Sequence, residues 1–439
     1  MTRTVLRLAW PVVIERLSIS TLSAVDALLV GHYVGSDGVA AVGMGALMFW
    51  IPLAGAFGLD IATTAVVARD FGGGKPDTME RTMRAALLAA LVWGLLAAVF
   101  LFALAGPLLT MMGAKPEVRA EGMDYMRAAA FGFPGLMLLY AASGILRGLC
   151  NTVLSMLIII ALNIVNAAVS FLLISDVIGV DLGVLASGIG YASGGMTGGV
   201  LAMAVLLTGI GPIRYQVAHA LVTGREEVRR LLNVGLPSGL EEVQFMAAFI
   251  LYSRIVYGLG TTAVAAHTVA LRTLDLALVP GFALGAAGTT LVSRYLGAGR
   301  PDTAERAART SLAIAVGPML VMGVLLFVFA SQFVSLFVDD PDVVRTGTRL
   351  LRVFAIAFPF MGLHASLGGA LRGAGDNRYV LGVLTVTAWC VRIPVAVVCG
   401  VTFGLGAPGA WIGATAENMV RGLLVLRRFR QGEWREKQV

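Results

Sequence analysis

Twelve apolar windows, each about as long as a lipid bilayer is thick, follow one another along this 439-residue chain. Read between the Gly, Pro and charge clusters that separate them, they fall at 8–33, 41–68, 83–112, 122–146, 153–175, 183–209, 234–257, 263–293, 310–337, 347–370, 379–401 and 409–429. A helix crosses a bilayer with roughly 20 apolar residues. Lipid offers no partner to a free backbone group, so each window is expected to be an α-helix that satisfies itself. The short alternating segments of a membrane β-barrel are missing. Only 13% of residues are charged, against about a quarter in a soluble domain. The expected class is an all-α integral membrane protein with twelve transmembrane helices.

Charge orients it. Arg69, Lys75, Arg81 and Arg84, then Arg147, then Arg214, Arg225, Arg229 and Arg230 lie in alternate connections. Arg294, Arg300, Arg306 and Arg309, then Arg372 and Arg378, then the tail from Arg427 to Lys437 continue the series. The intervening connections are poor in base. Basic loops stay inside, so a multi-pass protein of the cell membrane with both termini cytoplasmic is expected. The net charge of +7 is spread over helix ends and argues against a nucleic-acid partner. Cys150, Cys390 and Cys399 make no disulfide framework. The start of the chain shows no cleavable signal pattern, so the first helix is expected to be retained.

The chain also repeats itself. RDFGGGKPDTMER from Arg69 returns as RYLGAGRPDTAER from Arg294, Phe133-Pro134 as Phe358-Pro359, and Leu146-Arg147-Gly148 as Leu371-Arg372-Gly373. Pro11 answers to Pro237. Six windows per half give both halves one orientation, so they are parallel repeats with a pathway expected between them. The boundaries read as a six-helix lobe over 1–211, a cytoplasmic linker over 212–232, a second six-helix lobe over 233–432 and a tail over 433–439. The stretch from Pro212 to Arg230 reads as a basic helix on the membrane surface.

Within the first window, Glu15 and Asp26 are eleven residues apart, about three turns, and share a face with Ser18. A carboxylate facing lipid costs several kcal/mol, so Asp26 is expected to face protein or a wet cavity. It reads either as a protonatable or cation-binding group in a transport path, or as an acid paired with a base for packing.

Twelve spans in two halves, the repeated G-x-G-[KR]-P-D loop, VDALLVGHYVG in the first span and AAHTVALRTLDLALVPGFALGAAGTTLVSRYLGAG in the eighth resemble the multidrug and toxic compound extrusion (MATE) family. The resemblance covers essentially the whole chain. It implies two lobes forming a V and export of amphipathic, often cationic drugs, driven by inward flow of H⁺ or Na⁺. Asp26 matches the family's coupling acid in the first helix. Asn166 matches a second position, while Ser170 stands where several relatives carry an acid. Hydroxyl and amide oxygens of Asn166, Ser170 and Asn163 can still hold Na⁺ beside Asp26, or bond its protonated form; interhelical hydrogen bonding is the other reading for all three.

The seventh span echoes the first: Glu241, Gln244 and Tyr252 fall on one face as Glu15, Ser18 and Asp26 do. Glu241 or Glu242 is a candidate acidic station for a cationic substrate. Asp275 stands three residues from Arg272 and is either part of the cavity or half of an intrahelical pair. His267 reads as structural, Arg392 as a partner for an acid in the second lobe, and Asp60 as a partner for a base or a further acid of the first. Met44, Met48, Phe49, Trp50 and Phe57 read as cavity wall or as packing.

GGGKPD lacks the Lys-Ser/Thr of a phosphate-binding loop, and no zinc-protease motif or nucleophile elbow appears. The expectation is therefore a transporter and not an enzyme, using no cofactor beyond its coupling ion and working as a monomer. It is a secondary antiporter whose two lobes rock, with Asp26 coupling ion to drug. A lipid-linked oligosaccharide flippase of the same superfamily is the first alternative, and an integral membrane enzyme the second.

Overall fold

The computed structural model describes residues 1–175, 177, 179, 182–209 and 224–437. Helices account for nearly all of them, and no strand occurs among the described residues. In chain order they are α1 (Thr2–Tyr33), α2 (Ser36–Gly72), α3 (Pro76–Met111), α4 (Pro116–Ala130), α5 (Phe133–Gly148), α6 (Thr152–Ile174) and α7 (Val184–Thr208). Then come α8 (Arg225–Tyr257), α9 (Thr261–Ala277), α10 (Val279–Gly297), α11 (Pro301–Val328), α12 (Ala330–Ser335), α13 (Pro341–Ala355) and α14 (Phe358–Ala374). The last are α15 (Asn377–Thr387), α16 (Ile393–Ala396) and α17 (Gly406–Gln431). π-helical turns at Ala388–Arg392 and Val397–Thr402 flank α16 and make α15 to Thr402 one continuous rod.

Every expected span coincides with one helix or with a run of consecutive helices. Among the described residues, seven are long and apolar enough to cross a membrane alone, and nine when each of two bent pairs counts as one. The bent pairs are α4–α5, turned by 51°, and α13–α14, turned by 49°. Pro134 and Pro359 stand in the first turn after each break, where a missing N–H is harmless but the preceding helix cannot continue. The same punctuation recurs elsewhere at the repeat distance: Pro76 and Pro301 open α3 and α11, and Pro116 and Pro341 open α4 and α13. The turns before α3 and α11 carry Gly74 and Gly299 at φ 64° and 68°. That left-handed backbone suits a residue without a Cβ.

The chain forms two compact units, residues 14–239 and residues 1–13 with 240–439. This differs from the division at the linker. Residues 212–223 lie outside the described residues, so the expected surface helix is seen only in its last part. Residues 225–230 are the opening turns of α8, and the first half of α8 belongs with the first unit. Arg81 pairs with Glu227 at 3.0 Å and Arg230 with Asp70 at 2.7 Å. Farther along, a Cβ on Gly58 would stand 2.8 Å from the Gly239 nitrogen, so α2 and α8 meet backbone to backbone. Residues 433–437 of the expected tail are folded too. Trp434 is buried, stacked on Phe429 at 5.1 Å, and donates through Nε1 to the Phe429 carbonyl.

Each unit has its own core. Phe49, Met83, Tyr125, Phe133, Met137 and Ile145 centre the first. Tyr252, Leu350, Phe358 and Trp411 centre one cluster of the second, and Val292, Leu371 and Phe429 another.

Candidate functional site

In the first unit a polar seam joins α1 to α6. Ser155 Oγ donates to Glu15 Oε2 at 3.3 Å, and Asn163 Nδ2 donates to Ser18 Oγ at 2.6 Å. Residue offsets across the seam are therefore 140 and 145. Farther along α6 stand Asn166 and Ser170. Ser170 Oγ donates to Asn166 Oδ1 at 3.2 Å, and both side chains are buried. Gly190 of α7 closes over them: a Cβ there would lie 2.8 Å from the Asn166 carbonyl oxygen. A close crossing of this kind holds polar side chains in one geometry.

Glu15, Asp60 and Asp70 of this unit each pair with an arginine, and Asp26 pairs with none among the described residues. Its Oδ1 is buried without a hydrogen-bond partner. Tyr125, buried, and Tyr191, half-buried, lie within electrostatic reach of Asp26 and pack around Phe49 at 5.5 and 5.1 Å. A bare carboxylate so placed is unstable unless something neutralises it. Arg147, in the same unit, is engaged with two other acids. Arg147 donates from Nη1 to Glu15 at 3.1 Å and from Nη2 to Asp60 at 2.6 Å. Asn163 Oδ1 is the second unpartnered buried oxygen of the seam.

The repeat builds a similar ladder in the second unit, though Ala388 stands at the counterpart of Asn163. Arg372 donates to Glu241 from Nη2 at 2.5 Å and from Nε at 3.2 Å. Thr385 Oγ1 donates to Gln244 Oε1 at 2.7 Å. At the position of Asp26 stands Tyr252, buried, its hydroxyl unpartnered. Arg392 lies over the rings of Phe245 and Tyr252 at 5.6 and 5.5 Å and pairs with Glu417, which also pairs with Arg421. The acid expected for Arg392 is thus Glu417. Glu242 lies within electrostatic reach of Arg372 and Arg421.

Other candidates separate. Asp275 is exposed on α9 within electrostatic reach of Arg272. Met48 is half-buried against the first core, and Phe49 is wholly within it. His267 is buried: Trp411 Nε1 donates to its Nδ1 at 3.2 Å, and Ser253 Oγ lies 3.4 Å from its Nε2. The structure corrects the placing of Arg147 and Arg372 among loop bases. Both stand in the last turns of helices, α5 and α14, and are drawn inward by buried or half-buried carboxylates. Glu417 and Arg421 were not singled out, though an E-x-x-x-R spacing in an apolar span was the available signal.

Comparison with known proteins follows the same repeat. The family model described as MatE matches twice, over residues 11–172 and 237–398, a displacement of 226 residues at both ends. The multidrug resistance protein PmpM of Pseudomonas aeruginosa is 30% identical over 93% of this chain and 87% of its own length. The probable multidrug resistance protein NorM of Bradyrhizobium diazoefficiens is 30% identical over 96% and 92%. Among solved structures, an outward-facing multidrug resistance transporter of the MOP superfamily superposes with TM-score 0.90 at 22% identity, over 98% of this chain and 95% of that one. A MOP superfamily transporter from Pyrococcus furiosus gives 0.91 at 21% identity, over 100% and 97%.

Proposed function

We propose, from the premise that this chain belongs to the MATE family of multi-pass membrane transporters, that it is a secondary antiporter exporting amphipathic, often cationic compounds in exchange for H⁺ or Na⁺. It works as a transporter and not an enzyme, in the cell membrane with both termini cytoplasmic, by rocking of its two halves. The coupling ion is its only cofactor.

One observation carries this reading: Asp26 holds a buried, unpartnered carboxylate oxygen on a membrane helix, while Arg147 pairs with Glu15 and Asp60. Such a group demands a small cation. A proton satisfies it as a carboxylic acid; Na⁺ satisfies it with the oxygens of Asn166 and Ser170. Occupation then decides which geometry is favoured, because an ion shifts an equilibrium only by binding one state better than another. Relatives of the chain carry the name of multidrug resistance proteins, which supports a small organic substrate.

The test is ethidium efflux from proteoliposomes under an imposed pH gradient and, separately, an imposed Na⁺ gradient. One gradient is expected to drive efflux. Equal efflux without either would remove the antiport reading.

A further inference from the structure

Helix α17 has two faces. Glu417, Val425 and Phe429 lie on the buried one. Ile412, Leu423, Arg427, Arg430 and Gln431 are exposed, with Ala416 and Met419 half-buried between the first two. Steps of three and four residues put these side chains in one stripe. The stripe is apolar from Ile412 to Leu423, about 16 Å along the axis, which is the depth of one leaflet of hydrocarbon. It then turns basic within a single turn.

The other bases at this end of α17 are neutralised inside the second unit. Arg428 pairs with Asp376 at 2.8 Å and also with Glu433. Lys437 pairs with Asp376 at 3.4 Å, and Arg435 pairs with Glu305. Arg427 and Arg430 form no ion pair among the described residues. With Leu423, Leu426 and Gln431 they line a groove of about 390 Å³. The repeat does not account for them: α7, the last helix of the first half, has no base in its last turn.

We propose that this groove binds an anionic phospholipid of the leaflet that the basic helix ends face. One acyl chain lies along Leu423 and Leu426 toward Ile412, and the phosphodiester sits between Arg427 and Arg430. The two arginines are about 4.5 Å apart in rise on one face, close enough to share one phosphate. Guanidinium groups suit phosphate oxygens because two N–H donors meet two acceptors. Gln431 adds an amide donor at headgroup depth. A soluble anion would use the arginines but gain nothing from the leucines. A zwitterionic lipid would use the leucines but bring its own positive charge beside the arginines. Attraction to an anionic headgroup is worth roughly fivefold in affinity per arginine, so two give roughly 25-fold. The site is separate from Asp26 and holds whichever ion drives transport.

The experiment uses the full-length protein in zwitterionic detergent, titrated with phosphatidylglycerol or phosphatidylcholine, with bound lipid counted by native mass spectrometry. Wild type is expected to prefer phosphatidylglycerol by about tenfold or more, and its melting temperature to rise with that lipid, as it does for any ligand of the folded state. Arg427→Gln combined with Arg430→Gln is expected to lose both effects. Arg300→Gln combined with Arg378→Gln removes the same charge from exposed positions elsewhere in the second unit and is expected to keep them. Leu423→Asn leaves both arginines in place and is expected to weaken phosphatidylglycerol binding severalfold. Wild-type preference in the Arg427/Arg430 variant, or equal loss in the Arg300/Arg378 variant, overturns the proposal. So does inorganic phosphate displacing the lipid at equal concentration, or unchanged lipid binding in Leu423→Asn, since either makes the groove a site for free anions.

Discussion

Arg372 grips Glu241 through two nitrogens, at 2.5 and 3.2 Å, and reproduces in the second unit the pair that Arg147 forms with Glu15 in the first. Both pairs tie the first helix of a repeat to the end of the bent fourth span. A buried or half-buried pair of this kind gives little net stability while intact, but losing one partner strands the other. Arg147→Ala strands two carboxylates and is expected to cost about 3–5 kcal/mol. Arg372→Ala strands one acid, with 16% of the Glu241 side chain still exposed, and is expected to cost less. Thermal unfolding of the two detergent-solubilised variants checks the order.

Gly190 is where α7 comes closest to the candidate ion site. A methyl group there would press on the Asn166 carbonyl oxygen and on Ser170 Oγ, with backbone on one side and a buried hydroxyl on the other. Gly190→Val is expected to destabilise by about 1–3 kcal/mol, as overpacking does. It should also weaken ion-coupled efflux more than Gly43→Ala, whose Cβ meets nothing within 4 Å. Parallel efflux assays of the two variants at matched expression test this.

Tyr252 occupies the place of Asp26 but offers only an unsatisfied hydroxyl. Removing a buried polar group that has no partner is close to neutral or stabilising. Tyr252→Phe is expected to keep its melting temperature and its coupled efflux, because the ring that Arg392 covers remains. A large loss of coupling in Tyr252→Phe would make the second unit an ion site in its own right.

Much of this architecture was legible in residue order. The spans follow from hydropathy, and the repeat placed Pro134 with Pro359 and Pro76 with Pro301, where helices start or bend in both units. Asp26 stood out because lipid punishes a carboxylate, and Asn163 was named with it. The Glu15–Arg147 and Glu241–Arg372 pairs were hidden for a physical reason. Helix-end arginines look like ordinary inside-positive charge until a partner more than a hundred residues away is seen. The exchange of α8 between units was equally hidden, because it depends on Gly58 meeting Gly235 and Gly239, and sequence spacing carries no record of that approach.

Ion coupling in this reading depends on Asp26. The most direct measurement is gradient-driven ethidium efflux by Asp26→Asn in proteoliposomes, beside wild type reconstituted at the same density. The variant is expected to fold, since Oδ1 of the group removed makes no hydrogen bond and an amide fills the same space. Its efflux is expected to be lost under the pH or Na⁺ gradient that drives the wild type. Efflux at the wild-type rate in the folded variant would contradict the account.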